Sequence, residues 1–249
     1  MISRVEIVYG EHCLERFSEF ILNSKLNTLP MNKPILLKPN MLNDMSANDG
    51  VSTDYRIVDI LAKYFVSNNY KVVIGDGGVR PDTIASLIKN GYSNIKDVEL
   101  IDLNKGEMIP KQIGNQSMFI SKIALESSVI SIAKLKVHSL MQVTLTLKNL
   151  MGCVNPKGNM HDNFVSKIED VYEYIKPVYG IVDGIIGNLT REDVVAPVVF
   201  NTILAGNCCY CVDKVGSIIL KKEAQHIENL LTKYGAYPEY DVKEVINIG

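Results

Sequence analysis

The chain has 249 residues, of which 47% are hydrophobic and 22% charged, with a formal net charge of -2. That balance suits one large α/β domain or two closely packed lobes, and it excludes a generally basic surface that coats nucleic acid. No apolar run approaches membrane-spanning length and the N-terminus lacks the features of a signal peptide, so a cytoplasmic protein with no membrane partner is expected.

In chain order, RVEIVYG (residues 4–10) reads as a strand, and residues 11–27 have helical spacing with Leu14, Phe17 and Ile21 near one face. PILLKPN (34–40) is a short apolar strand that stops at Pro39. Asp54 is placed to cap a helix whose apolar positions include Ile57, Ile60, Leu61 and Phe65. KVVIGDGG (71–78) runs from a strand into a glycine turn, a helix follows Pro81, and VELIDL (98–103) is another strand. Residues 104–116 read as an irregular excursion. SVISIAKLK (128–136) is a strand. SLMQVTLTLKNLMG (139–152) fits two geometries, a helix capped by Ser139 and ended by Gly152, or an alternating strand. YGIVDG (179–184) and VVFNTILAG (198–206) are later strands, with helices expected at Val212–Leu220 and Glu223–Tyr234.

Short apolar strands alternating with amphipathic helices predict an α/β fold, a mostly parallel sheet covered by helices on both faces, with residues 1–249 as a single domain. Ligands of such sheets bind outside the carboxyl ends of the strands. The predicted strands end in polar residues, so one sheet edge should collect Lys38, Asn40, Asp76, Lys136, His138 and Asp183. Polar residues also mark strand ends merely because burial stops there. The recurrence of lysine, histidine and aspartate rather than simple turn formers favours a site.

Charge segregation points to the same edge. From Ser127 to His161 there is no acidic residue, while Lys134, Lys136, Lys148, Lys157, His138 and His161 all fall in that window. The resulting positive potential would attract a carboxylate or phosphate. Thr144 and Lys148 are four residues apart and share a face in a helix or a strand alike. Lys148 among leucines either meets an anion or carries its ammonium out to water. His138 follows Lys136 by two, so the pair can act as proton donor and anion anchor.

Other signals are weaker. GDGG after a strand resembles a phosphate-binding turn but lacks the spacing of a dinucleotide or Walker fingerprint, so no cofactor follows from it. Cys208, Cys209 and Cys211 form a tight cluster that Cys153 could join in a metal or iron–sulfur site. Their spacing matches no standard ligand set, and buried inert thiols are the favoured reading, so no metal site is assigned.

KPNML, STDYRIVDILAKYF, VVIGDGG, AKLKVHSLMQVTLTLKNLMG, IVDGI and LAGNCCYCVDKVGSIIL occur in that order. Together, from about Ile35 to Leu220, they make the chain resemble the family catalogued as domain of unknown function 362. The resemblance implies an α/β domain, often found near or fused to ferredoxin-like iron–sulfur segments, with no single reaction attached. The positions that match its motif are Lys38, Asn40, Thr53, Asp54, Asp76, Lys136, His138, Thr144, Lys148, Asn149, Asp183 and Asp213. The chain departs from relatives in three places. It has no ferredoxin-type cysteine repeat, NLTREDVVAP replaces a glycine-rich turn, and CCYC stands where relatives carry ordinary apolar residues.

The leading expectation is an enzyme acting on an anionic small molecule. His138, Lys136 and Asp76 form its catalytic set, and Lys38, Asn40, Thr144, Lys148, Asn149 and Asp183 bind substrate. Two alternatives are a redox or metal-handling protein, working with a redox partner or as a homo-oligomer, and a non-catalytic metabolite-binding module.

Overall fold

A computed structural model describes residues 2–24, 26, 33–78, 82–160, 162–191 and 194–243. In chain order its elements are β1 (Ile2–Tyr9), α1 (Cys13–Asn23), β2 (Ile35–Lys38), α2 (Tyr55–Ser67), β3 (Val72–Asp76), α3 (Thr83–Lys89) and β4 (Glu99–Asp102). Next come β5 (Met108–Ile113), β6 (Gln116–Ser121), α4 (Lys122–Glu126), β7 (Ser128–His138), β8 (Gln142–Thr144), α5 (Thr146–Asn149) and β9 (Val154–Asn155). The last third holds α6 (Phe164–Ile175), β10 (Tyr179–Asn188), β11 (Pro197–Gly206), α7 (Cys209–Ile219), α8 (Gln225–Tyr234) and β12 (Tyr237–Lys243).

The main sheet has the order β12-β1-β11-β10-β7-β2-β3-β4, with β8 added against the end of β7. The run β10-β7-β2-β3-β4 is parallel throughout, and only β11 and β8 oppose their neighbours. The alternation of side chains explains why both faces are covered. Leu36, Val129, Leu135, Val182 and Leu204 enter one core, shared with α6, α7 and α8. Ile35, Leu37, Ile130, Ile181 and Ile203 enter the other, shared with α1 and α2. The expected α/β class and two-sided cover are what the structure has.

The helix starts follow from local chemistry. Asp54 is the N-cap of α2 and accepts from the backbone N–H of Arg56 at 3.0 Å. Asp82 caps α3 in the same way through Ile84 and Ala85. Pro81, expected to precede that helix, lies outside the described residues.

Two expectations need correction, and one further strand is found. Residues 104–116 are not irregular: they carry β5, which forms an antiparallel hairpin with β6 and a separate three-stranded sheet with β9. The half-exposed alternation of these strands hid them in the sequence. Residues 139–152 are neither one helix nor one strand. The chain turns at Leu140–Met141, runs as β8 back along β7, and then winds into α5 and a 3-10 turn at Leu150–Cys153. Finally, the C-terminal segment adds β12, parallel to β1, which the polar sequence YPEYDVK had concealed.

Candidate functional site

The carboxyl ends of β2, β3 and β7 meet the β8–α5 segment around a cleft of about 380 Å³. Its polar lining is Asn40, Asp76, His138, Thr144, Lys148, Asn149 and Lys157, and its apolar walls include Met41, Leu42, Met151 and Phe164. Six of the nine expected site residues therefore share one surface: Asn40, Asp76, His138, Thr144, Lys148 and Asn149. Lys38, Lys136 and Asp183 are not among the lining residues.

Those three are held behind the cleft. Lys38 is fully buried, and its Nζ lies 2.5 Å from Asp76 Oδ1 and 3.1 Å from Asn149 Oδ1. The other Asp76 oxygen accepts from the Met41 amide at 2.7 Å. Asn149 Nδ2 donates to the Lys38 carbonyl and to Ser131 Oγ, both at 3.1 Å. This network ties the ends of β2 and β3 to α5. Beside it, buried Lys134 pairs with buried Asp183 at 2.8 Å, and Asp183 also accepts from the Asp54 amide at 2.8 Å. Lys136 is 1% exposed and donates to the Val51 carbonyl at 2.8 Å. Burying such ammonium groups is tolerated because each meets an anion or a carbonyl.

α5 is fixed from the opposite side. Asp213 on α7 is fully buried and accepts from Thr146 N (2.8 Å), Thr146 Oγ1 (2.6 Å) and Leu147 N (2.9 Å). A carboxylate thus caps the turn that carries Lys148 and Asn149. Burial nevertheless pushes the Asp213 carboxyl up to about 7.

The lining itself has a distinct chemistry. Nδ1 of His138 accepts from the amides of Leu140 (3.1 Å) and Met141 (3.2 Å). A ring nitrogen that accepts two N–H groups carries no proton, so the neutral imidazole is protonated at Nε2. Lys148 Nζ lies 5.6 Å from the centroid of the Phe164 ring, a cation–π distance, and that ring packs edge-on to His138. Lys157 donates to the carbonyls of Met151 (3.3 Å) and Val154 (3.1 Å), and burial lowers the pKa of its ammonium. Thr144 Oγ1 and Asn40 Oδ1 are buried with no hydrogen-bond partner among the described residues.

The GDGG turn does a different job from the one expected. The Gly77 amide donates to Asp76 Oδ1 at 2.8 Å and the Gly78 amide to Thr83 Oγ1 at 3.1 Å. Neither amide is left over for a phosphate. The glycines are required by close packing instead: a Cβ on Gly78 would sit 2.8 Å from the Met41 carbonyl. Gly152 has the same constraint, since a Cβ there would press on Lys38 Nζ at 2.6 Å.

Among the described residues no three His, Cys, Asp or Glu side chains are placed to hold a metal ion. Cys153 is remote in sequence from the 208–211 cluster, and burial raises its thiol to about 11. His161 lies outside the described residues. Lys157 is a lining residue that belonged to the acid-free window, and Met41 and Leu42 follow directly from the KPNML run. Phe164 has no signal in the sequence.

A family model described as domain of unknown function (DUF362) matches residues 35–217. The chain belongs to that family. A thylakoid-associated protein of Synechocystis, sll1697, is 25% identical over 167 residues, covering 62% of this chain and 52% of its own length. The chain spans about half the length of that curated relative. Among the described residues no helix is long and apolar enough to cross a membrane.

Proposed function

We propose that the protein is an enzyme for a small anionic substrate with an apolar body, bound in the cleft between β2, β3, β7 and α5. The observation that carries this reading is the buried Thr144 hydroxyl, without a hydrogen-bond partner among the described residues, in a lining that also holds Lys148 and Lys157. A buried polar atom without a partner costs about 1–3 kcal/mol, and a ligand that meets it recovers that cost. Among the described lining residues the one carboxylate, Asp76, is already matched by Lys38. The two remaining lysines favour a carboxylate or phosphate group. Met41, Leu42, Met151 and Phe164 suit an apolar remainder.

In this reading Lys148 and Lys157 set the anion, the Thr144 hydroxyl donates to it, Asn40 Oδ1 accepts from a hydroxyl or N–H elsewhere on the substrate, and His138 offers its Nε2 proton to the reacting group. Lys38, Lys136 and Asp183 act from behind, by holding the strand ends and α5 in place. With Nδ1 taken by two amide donors, His138 acts on the substrate through Nε2. The cytoplasmic placement belongs to this proposal too. The thylakoid association of the cyanobacterial relative makes fractionation of the native protein its direct check.

Calorimetric titration with a panel of mono- and dicarboxylates and phosphate esters tests the binding. At least one anion should bind, and Lys148→Met should weaken it tenfold or more. Incubation with a metabolite extract, followed by mass spectrometry, tests for turnover. Loss of turnover with retained binding in His138→Gln supports catalysis. Binding without turnover in the wild type instead favours the metabolite-binding module. An indifferent Lys148→Met rejects the cleft as the site.

A further inference from the structure

Cys208 and Cys211 lie at the start of α7. They follow β11, whose last residue Gly206 pairs with Gly180 at the start of β10. Neither lines the cleft. Cys208 is the N-cap of the 11-residue helix α7, and its Sγ accepts from the Cys211 amide at 3.3 Å. In that geometry the N-cap side chain and the side chain three residues on are neighbours, as in a capping box. Helical geometry sets Cα atoms three residues apart at about 5 Å, within the roughly 4.4–6.8 Å that a disulfide spans.

The Cys211 side chain and backbone N–H beside Cys208 hold its thiol below the usual range, while Cys211 is raised. The other cysteines differ. Burial raises Cys13, Cys153 and Cys209, and the Cys209 sulfur faces Gly180 instead of the pair. Cys208 is 7% exposed and Cys211 fully buried, so the more acidic sulfur is also the outer one. These are the properties of an attacking and a resolving thiol.

We propose that Cys208 and Cys211 form a redox-active dithiol that exchanges with disulfides of a small thiol or of a protein partner. The Cys208 thiolate attacks a disulfide R–S–S–R, forming a Cys208–S–S–R bond and releasing RS⁻. Cys211 loses its proton to solvent, and its thiolate attacks the Cys208 sulfur. That step forms the Cys208–Cys211 bond and releases the second RS⁻. Both released thiolates take up protons as RSH. Two electrons and two hydrogens thus pass from the protein to the disulfide, and the reverse sequence oxidises a dithiol.

The test uses the full chain and oxidised glutathione. After incubation, acid quench and alkylation under denaturing conditions, the wild type should take up two alkyl groups fewer than the reduced control, and peptide mapping should recover a Cys208–Cys211 disulfide. Cys211→Ser should arrest with glutathione on Cys208, with at least tenfold more adduct than Cys208→Ser. Serine is itself a good N-cap, so Cys208→Ser keeps the helix start. Should that variant still fail to fold, the wild-type map decides alone. Alkylation of both thiols across the whole glutathione redox range overturns the proposal. So does a disulfide that maps to any other pair.

Discussion

Asp213 couples α7 to the cleft, and its ionisation should be visible in stability. The Asp213 carboxyl is raised from 3.8 to about 7 by burial, against three donors that favour the charged form. Between those values the folded protein holds a proton that the unfolded chain has released. Stability from this group is therefore complete below about pH 4 and is lost as pH rises to about 7. At about 1.4 kcal/mol per pH unit, the full gap amounts to ~4 kcal/mol. Asp213→Asn stays neutral and lacks the slope. Urea unfolding of both proteins from pH 4.5 to 7.5 isolates the effect, because Asp54, Glu173 and the other carboxylates with lowered pKa cancel in the difference. The stability of wild type relative to Asp213→Asn should fall by roughly 2–4 kcal/mol across that range. A difference that is flat or rises with pH would show a carboxylate already ionised, and would refute the view that burial outweighs the three hydrogen bonds.

Lys38→Met leaves buried Asp76 without its counter-charge and should cost about 3–5 kcal/mol in urea unfolding; a loss under about 1 kcal/mol would mean that the pair contributes little. Gly152→Ala should cost roughly 1–3 kcal/mol and weaken anion binding in the cleft, because its Cβ would push on Lys38 and Asp76. Calorimetry that finds unchanged affinity rejects the second half of that expectation. Asp54→Ala removes the cap of α2 and should lower stability by about 1 kcal/mol, while Arg56→Ala, which removes only a half-exposed ion-pair partner, should change thermal unfolding little.

The polar residues of the strands were legible as a group, but Lys38, Asp76, Lys136 and Asp183 are themselves buried, and β10 runs on past Asp183 to Asn188. Asp54 announced α2 because a side-chain acceptor two residues before a helical amide is a local rule. What stayed hidden depends on long-range contact. Lys38 and Asp76 are 38 residues apart, and Lys136 reaches a carbonyl 85 residues away. No spacing rule reveals that these lysines are neutralised or satisfied inside, while Lys148 and Lys157 line the cleft. The 139–152 segment misled for another reason. Its periodicity supports helix and strand equally, and the tertiary fold uses both in turn, with Asp213 as the external cap that lets so short a helix start. The GDGG turn shows the reverse error: its composition suggested anion binding, but close packing accounts for the glycines.

The charges at this sheet edge therefore form two layers with different physics. In the inner layer, Lys38–Asp76 and Lys134–Asp183 are matched pairs, and Lys136 is satisfied by a carbonyl. Burying these ammonium groups at 0–1% exposure would be costly without those partners. They contribute position rather than potential: Lys134–Asp183 links residues paired across the β7–β10 ladder, and Lys38–Asp76 joins β2 to β3 just past their last paired residues. The outer layer rests on that frame. Asn149 belongs to both, accepting from Lys38 while lining the cleft, and the next residue back is Lys148. A ligand that loads Lys148 thus pulls on the same turn that the inner network and Asp213 fix from two sides. That shared support requires mutations in the inner layer to act on affinity through geometry. Their effects on binding should track their effects on stability, whereas Lys148→Met should lower affinity with stability left near wild type.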